Sequence, residues 1–251
     1  MFSKNKIKFL GLDELVVETV EPPVKASKAL PEWIKALQNE SEDYTTAKRC
    51  LPLVEASSEG YVWKTHCDIE FAVKENEKQE IYLALGFPNN SNRFPFNEPI
   101  NVIDQHAPQQ VYVKDQSREE TDNLHGGVAF KQVYKLNNLF VIETPKGYSC
   151  RFKSLSNNFN IPLQIFEGVV ETDHFYQIIN FPFRYLGPPV PHKYILKKGT
   201  PLVQIIPFKR EKWKNTVGVI DTKKSQKQIV TLRTIFKNAY RNQVRDNNGN
   251  T

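Results

Sequence analysis

Three residues that lie close together in the sequence carry side chains that could do acid–base chemistry. Glu171, Asp173 and His174 lie within one short stretch between apolar runs. A carboxylate or an imidazole at the end of a strand can act as a general base toward a sugar or an activated water. The same residues also fit a polar turn between the pairs ValVal and IleIle, so both interpretations stay open.

If the chain is an enzyme, we predict a catalytic group of Arg151, Glu171 and Asp173, with substrate contacts from Gln204 and His174. The amide of Gln204 offers a donor and an acceptor together, which is a pattern able to read the edge of a nucleobase. Mg²⁺ would be the cofactor in that case, and no cofactor is expected otherwise.

A second group suggests metal chemistry. His66 and Asp68 form a His-x-Asp pair, the local ligand spacing of iron oxygenases that add one distant histidine. The candidates for that third ligand are His125, His174 and His192. The exposed face of an alternating strand shows such a pair by chance as well.

The third group is a row of cations near the C-terminus. Residues 222–245 carry apolar side chains at helical spacing, which predicts an amphipathic helix. Its polar side holds four cations at four-residue intervals: Arg233, Lys237, Arg241 and Arg245. Such a stripe could bind nucleic-acid phosphates or an acidic partner, or it could be a solvated face of a basic protein.

The elements that must position these groups are mostly strands. Alternating apolar residues predict one long strand over 61–74, followed by a polar turn and a second strand over 80–86, as in a hairpin. Further strands are predicted at 110–114, 128–136 and 139–143.

The regions on either side of this β domain differ in character. Residues 1–60 read as an arm packed on the domain, with a strand at 15–20 and short helices at 31–37 and 52–59, the latter closed by Gly60. The β domain spans 61–213, the C-terminal helix 222–245, and a frayed tail 246–251.

Residues 144–210 hold three turn-and-strand units, each introduced by glycine or proline. Such units predict the centre of a compact antiparallel domain. The segments 145–152, 168–175 and 197–206 resemble, in order and at similar spacing, the core segments of the deoxyuridine triphosphatase and deoxycytidine triphosphate deaminase superfamily. The resemblance implies an all-β, jelly-roll-like β-clip fold, often trimeric.

The chain departs from that family where the family handles phosphate. Glu171 stands at the position of the catalytic Asp, and residues 153–157 replace the phosphate-binding loop. The glycine-rich C-terminal arm is missing, and these losses remove the backbone donors that would cradle a triphosphate. The wider chain, including the segments before the strand at Tyr61, resembles an uncharacterised family of tailed bacteriophages, notably those of marine cyanobacteria.

Composition sets outer limits on the function. The net charge of +6 is a mild excess, and Cys50, Cys67 and Cys150 are an odd, widely spaced set without a CxxC pair. No apolar window approaches a membrane span, and the N-terminus has no apolar signal core. We therefore expect a protein of the host cytoplasm or the virion, neither secreted nor in a membrane.

These observations favour a non-catalytic binding or virion-associated β protein. A nucleotide hydrolase or deaminase is the first alternative, and an iron-dependent and 2-oxoglutarate-dependent oxygenase is the second. The expected partners are a host or virion protein, nucleic acid through the basic helix, and further copies of the chain, as in a trimer.

Overall fold

The chain is mostly antiparallel β-structure with short helices, as seen in a computed structural model that describes residues 6–38, 46–79, 81–93, 103–104 and 134–234. The all-β prediction is confirmed at this level. The strands are β1 (Lys8–Gly11), β2 (Val24–Lys25), β3 (Tyr61–Lys64), β4 (Ile69–Glu75), β5 (Ile81–Gly86), β6 (Ile103–Asp104), β7 (Tyr134–Leu136), β8 (Phe140–Glu143), β9 (Tyr148–Ser154), β10 (Leu163–Ile165), β11 (Gly168–Val170), β12 (Phe181–Tyr185), β13 (His192–Leu196) and β14 (Pro201–Lys209). The helices are α1 (Glu14–Thr19), α2 (Glu32–Ala36), α3 (Leu51–Ser58) and α4 (Thr222–Thr234), and 3₁₀ turns cover Ala26–Lys28, Ala47–Arg49 and Pro88–Arg93.

The strands form four sheets in the described part of the chain. The largest has the order β11-β9-β14-β3-β2, and the others are β10-β12-β7-β6, β13-β4-β5 and the pair β1-β8. In the largest sheet β14 lies between β9 and β3, and residues 202–205 are buried without alternation. Continuous burial is expected where a strand is covered on both faces.

Aromatic side chains of β12 join three of these sheets. Trp63 of β3 meets Phe181 edge to face at 5.3 Å between ring centroids. Phe71 of β4 stacks on Tyr185 at the same centroid distance. All four rings are buried, and aromatic pairs of this geometry contribute about 0.5–1.5 kcal/mol each beyond their buried area.

The three predicted units of residues 144–210 are neighbours in one sheet. β9 pairs with β11 on one side and with β14 on the other, both antiparallel. Gly147 and Gly199, in the turns before β9 and β14, have φ values of +88° and +81°. The prediction of an antiparallel centre is confirmed for this stretch.

The single long strand predicted over 61–74 is wrong, because it is two strands in different sheets. β3 ends at Lys64, and the chain turns where Thr65 N–H donates to the carbonyl of Thr200 (3.0 Å) and Thr65 Oγ1 donates to that of Lys197 (2.7 Å). β4 then pairs with β5, as the predicted hairpin requires. Apolar alternation continues through the corner, so periodicity alone could not reveal it.

The strand predicted at 15–20 is also wrong, because this segment is helix α1. Asp13 caps it by accepting from Val16 N–H at 2.8 Å, and Val16 and Val20 bury one face at i, i+4 spacing. β-branched residues suggested a strand, but the cap and the helical spacing of the buried pair prevailed.

The two other N-terminal helices are confirmed as α2 and α3. Pro31 is the N-cap residue of α2, whereas the sequence predicted it as the first residue of the helix. Gly60 follows α3 with φ +71°, and a Cβ there would lie 2.2 Å from the carbonyl oxygen of Ile205. Glycine is therefore required both by the backbone conformation and by the close approach of β14.

Several predicted strands are only partly described. β8 matches the prediction at 139–143, and β7 matches the end of the one at 128–136. The prediction at 110–114 lies outside the described residues, as do residues 128–133.

Residues up to Arg210 form one compact unit, and residues from Glu211 form a second. In the second, residues 211–221 have no regular secondary structure, and α4 begins where Lys224 N–H donates to the Asp221 carboxylate at 3.1 Å. The rest of the helix predicted to 245, and the tail 246–251, lie outside the described residues. Among the described helices, none combines the length and the apolar character needed to cross a membrane.

Candidate functional site

The turn after β11 brings the predicted acid–base residues beside the ends of two neighbouring strands. Phe175 N–H donates to the Glu171 carbonyl at 2.9 Å and closes the turn around Asp173. Gly147 lies in the turn before β9, and Arg210 follows β14 directly. The backbone N–H of Arg210 donates to the Gly147 carbonyl at 2.8 Å, so the turn before β9 and the end of β14 lie side by side.

Asp173 is buried there, with a side chain only 1% exposed. Arg210 donates to its two oxygens from Nη1 and Nη2, at 2.8 and 2.6 Å. Gly147 N–H adds a third bond at 2.7 Å. This is the planar, two-point pairing that favours arginine over lysine.

The pairing sets the protonation state of Asp173. The hydrogen bonds from Arg210 hold the pKa of the carboxyl well below its ordinary value, the bond from Gly147 acts in the same direction, and burial opposes both. The same contact raises the pKa of Arg210. Asp173 is thus an ionised carboxylate whose oxygens already have donors.

Glu171 and His174 lie at the surface beside this pair. A Glu171 oxygen is 3.9 Å from Arg210 Nη1, and His174 Nε2 is 3.5 Å from an Asp173 oxygen. Ligand atoms of Glu171, Asp173 and His174 lie within 4.8 Å of one another. The guanidinium of Arg210 already supplies the positive charge among them, so the group does not fit Mg²⁺, which prefers several free oxygen ligands.

Arg151 lies elsewhere on the same sheet. It stands opposite Val169, and its Nε is 3.3 Å from Glu167 at the surface. The structure therefore gives Asp173 a different cation, Arg210, which the sequence analysis missed. The signal was present in the basic end of β14, but the sequence does not show which carboxylate that end would meet.

Gln204 holds helix α3 against the sheet. Its side-chain N–H groups donate to the carbonyls of Ala56 (2.9 Å) and Glu59 (2.8 Å), and its oxygen accepts from Ser156 N–H (3.1 Å). The residue is 1% exposed. Its donors and acceptor are all engaged within the protein.

The structure gives His66 and Asp68 different hydrogen-bond partners. His66 is buried, and its Nε2 accepts from Trp63 Nε1 at 3.1 Å. Burial lowers the pKa of His66 to about 4, and the nearby Lys198 adds to the effect. Asp68 accepts from Lys198 N–H (2.7 Å) and from Lys197 Nζ (2.9 Å), bonds that lower the pKa of its carboxyl.

Two of the histidines predicted as a third metal ligand, His174 and His192, lie in the described residues. No cluster of potential metal ligands there joins either of them to His66 and Asp68. His192 Nδ1 donates to the Val190 carbonyl (2.7 Å), which leaves Nε2 to accept from the Tyr185 hydroxyl (2.7 Å). His125 lies outside the described residues.

The predicted basic stripe is described only at its beginning. Arg233 falls within α4. Lys237, Arg241 and Arg245 lie outside the described residues, so the stripe remains a prediction.

A groove lies between the loop at 159–162 and the segment 185–194, with a volume of about 490 Å³. Phe159 projects into solvent at its side, and Leu186 is exposed as well. Tyr194 and two prolines, Pro162 and Pro188, add apolar surface. The volume falls within the range of about 300–1,000 Å³ that is typical of ligand sites.

No protein-family model matches the chain, and no curated protein matches it significantly.

Proposed function

We propose that the chain is a non-catalytic binding protein of a tailed bacteriophage, acting in the virion or on a host factor. One observation carries the proposal: the carboxylate of Asp173, a candidate general base, is buried and already accepts three hydrogen bonds from Arg210 and Gly147. A general base needs a pKa near the working pH and a free lone pair facing the substrate. Asp173 has neither.

The position of Gln204 supports the same proposal. A nucleobase could use this amide only after its bonds to α3 and to Ser156 were broken. Leaving such buried groups without partners costs about 1–3 kcal/mol each. The groove beside Phe159 instead offers exposed aromatic and aliphatic surface for an apolar side chain of a partner protein.

We further propose that the core is a jelly-roll-like β-clip related to deoxyuridine triphosphatases. The adjacency of β11, β9 and β14, with left-handed glycines in the two turns, agrees with the resemblance of their sequences. On this proposal the scaffold is retained, and the residues that bind triphosphate are lost.

A panel of deoxynucleotides with Mg²⁺ tests the absence of catalysis. An enzyme of nucleotide metabolism would be stabilised by about 2.7 kcal/mol at 100 times the ligand's dissociation constant. We expect no shift of the melting temperature and no release of pyrophosphate or ammonia. Turnover of any nucleotide would overturn the proposal.

The nucleotide enzyme is the rival candidate, because Glu171 and His174 are exposed next to Arg210. Glu171→Gln should then abolish turnover without changing stability. The oxygenase alternative predicts bound iron and oxygen-dependent consumption of 2-oxoglutarate. An iron content near zero after purification from iron-supplemented cells, without that consumption, would end it.

Nucleic acid is the partner proposed for the basic helix. Binding through Arg233, Lys237, Arg241 and Arg245 should weaken steeply between low and moderate salt, because each phosphate contact releases counterions. Binding to DNA that is insensitive to salt would contradict it. Mass spectrometry of purified virions, compared with infected-cell lysate, separates a virion component from a protein that acts on the host.

A further inference from the structure

The segment that follows β14 exposes apolar side chains to an unusual degree. Trp213 is 88% exposed, Val217 96% and Val219 99%, and Ile220 is exposed beside them. Trp213, Val217 and Val219 are separated by even numbers of residues, so in an extended strand their side chains would lie on one face. Exposed apolar residues grouped in this way mark a surface that is covered by a partner.

The same segment repeats the sequence of a strand that is already paired in this fold. Residues 168–172 read GlyValValGluThr, and residues 218–222 read GlyValIleAspThr. The two differ only by one aliphatic and one acidic exchange. The first forms β11 and pairs with β9, whereas the second is exposed. Its β-branched residues suit a pleated, half-buried strand.

β11 itself offers an open edge for such a strand. It is the last strand of the five-stranded sheet, and within the described residues it pairs on one side only. Val169 at its centre is 56% exposed. An open edge with an apolar centre is a template for strand addition.

The charges around the two segments are complementary. Glu167 and Glu171 flank β11, and both side chains are more than half exposed. Four lysines lie in or beside the exposed segment, Lys212, Lys214, Lys223 and Lys224, against two acidic residues, Glu211 and Asp221. Arg151 already contacts Glu167, so the attraction is moderate and should weaken with salt.

We propose that residues 213–221 add as a β-strand to the β11 edge of a second copy of this chain, so that the protein associates with itself. Strand addition would satisfy backbone groups along the edge and cover Val217, Val219 and Val169 together. The inference does not depend on the proposed function, because a binding protein and an enzyme could assemble in the same way.

Analytical ultracentrifugation of the full chain over low to high micromolar concentrations tests the proposal. We expect reversible association that weakens with salt. Val219→Lys on the segment and Val169→Lys on the edge should each raise the dissociation constant at least about tenfold, because each places a charge in an apolar contact. Val17→Lys, which adds the same charge at an exposed valine of helix α1 outside both surfaces, is the matched control.

Hydrogen exchange locates the contact. The amides of 217–221 should be protected at high concentration and exchange freely at low concentration, and Val169→Lys should abolish the protection. A monomer at all concentrations overturns the proposal. Association that survives both lysine variants also overturns it, since the contact would then lie elsewhere. Val219 is 99% exposed among the described residues, so its variant should melt as the wild-type monomer does.

Discussion

At the scale of residues, the carboxylate that looked most suited to chemistry is part of the framework. Asp173 ties the turn after β11 to the end of β14 through Arg210, and to the turn before β9 through Gly147. A buried charge is tolerated when its partners are in place and becomes costly when one is removed. The pair therefore stabilises the arrangement of three strands.

Replacing Asp173 should reduce the stability of the folded chain. In Asp173→Asn the guanidinium of Arg210 would keep its position but lose its counter-charge, so we expect the melting temperature to fall by several degrees. Glu171→Gln, two residues away and exposed, is the control and should melt as the wild type does. Equal melting temperatures for Asp173→Asn and the wild type would refute the structural role.

The contribution of Asp173 should vanish in acid. Its pKa is lowered in the folded chain, so its stabilising effect is present above the ordinary value of 3.8 and is lost as the pH falls further. The difference in unfolding free energy between wild type and Asp173→Asn should therefore be constant near neutral pH and shrink below about pH 4. Denaturant titrations at several pH values measure it.

His66 should make stability depend on pH in a higher window. Burial lowers its pKa from 6.5 to about 4, so the unfolded chain binds a proton that the folded chain does not. The stability is fully present above pH 6.5 and should fall by about 3 kcal/mol as the pH drops to 4. His66→Gln should flatten this slope, and denaturant titrations at several pH values measure it.

At the scale of elements, the N-terminal helices are joined to the sheet by polar side chains. Gln204 of β14 binds the end of α3, and Asn157 after β9 donates to Ser57 at 2.9 Å. Trp33 of α2 donates to the Asn157 carbonyl at 2.6 Å. The arm is therefore fixed by specific hydrogen bonds.

Gln204→Ala tests this connection. It would leave the carbonyls of Ala56 and Glu59 and the N–H of Ser156 without partners, and we expect a loss of about 2–4 kcal/mol. Hydrogen exchange should show α3 opening before the sheet. Gln164→Ala, on the exposed face of β10, provides the comparison and should change neither quantity.

Gly60→Ala should destabilise the chain by about 2 kcal/mol or more, because φ is +71° and the new Cβ would meet the backbone of Ile205. Gly86→Ala, at the end of β5, has no atom within 4 Å of the added Cβ and no positive φ. It should be close to neutral. Urea denaturation of the two variants measures the difference, and similar losses would contradict the role of Gly60.

At the scale of the whole molecule, the chain changes character after Arg210. The first unit has a continuous aromatic core, whereas the second begins with an exposed segment that contains Lys212 and Lys214. Brief trypsin treatment at low protein concentration should cut at these lysines and leave a fragment of about 210 residues, since exposed irregular backbone is cut first. Mass spectrometry identifies the cut. Earlier cleavage within β9 or β14 would show that the first unit is not compact.

Slower trypsin cleavage at high protein concentration would indicate that the cut segment takes part in self-association. The cut at Lys214 should become slower as copies pair, and Val219→Lys should restore the fast rate. A rate that is independent of concentration in the wild type would argue against strand addition.

Local signals in the sequence determined much of the architecture. Alternation, proline and glycine predicted β4 and β5, helices α2 and α3, and the three strands of 144–210, because these features depend on neighbouring residues only. The same signals failed at α1, where two buried valines at helical spacing outweighed strand propensity, and at Thr65, where alternation passes through a corner between sheets.

Only the tertiary structure decided which polar groups meet. The sequence by itself determined that Glu171, Asp173 and Gln204 lie at strand ends or in strands, but not their partners. Arg210 lies 37 positions from Asp173, and Gln204 binds a helix 145 to 148 positions away. Contacts over such separations depend on the pairing order of the strands, which no local pattern encodes. That order places Asp173 and Gln204 in the hydrogen bonds that hold the sheet and its arm together.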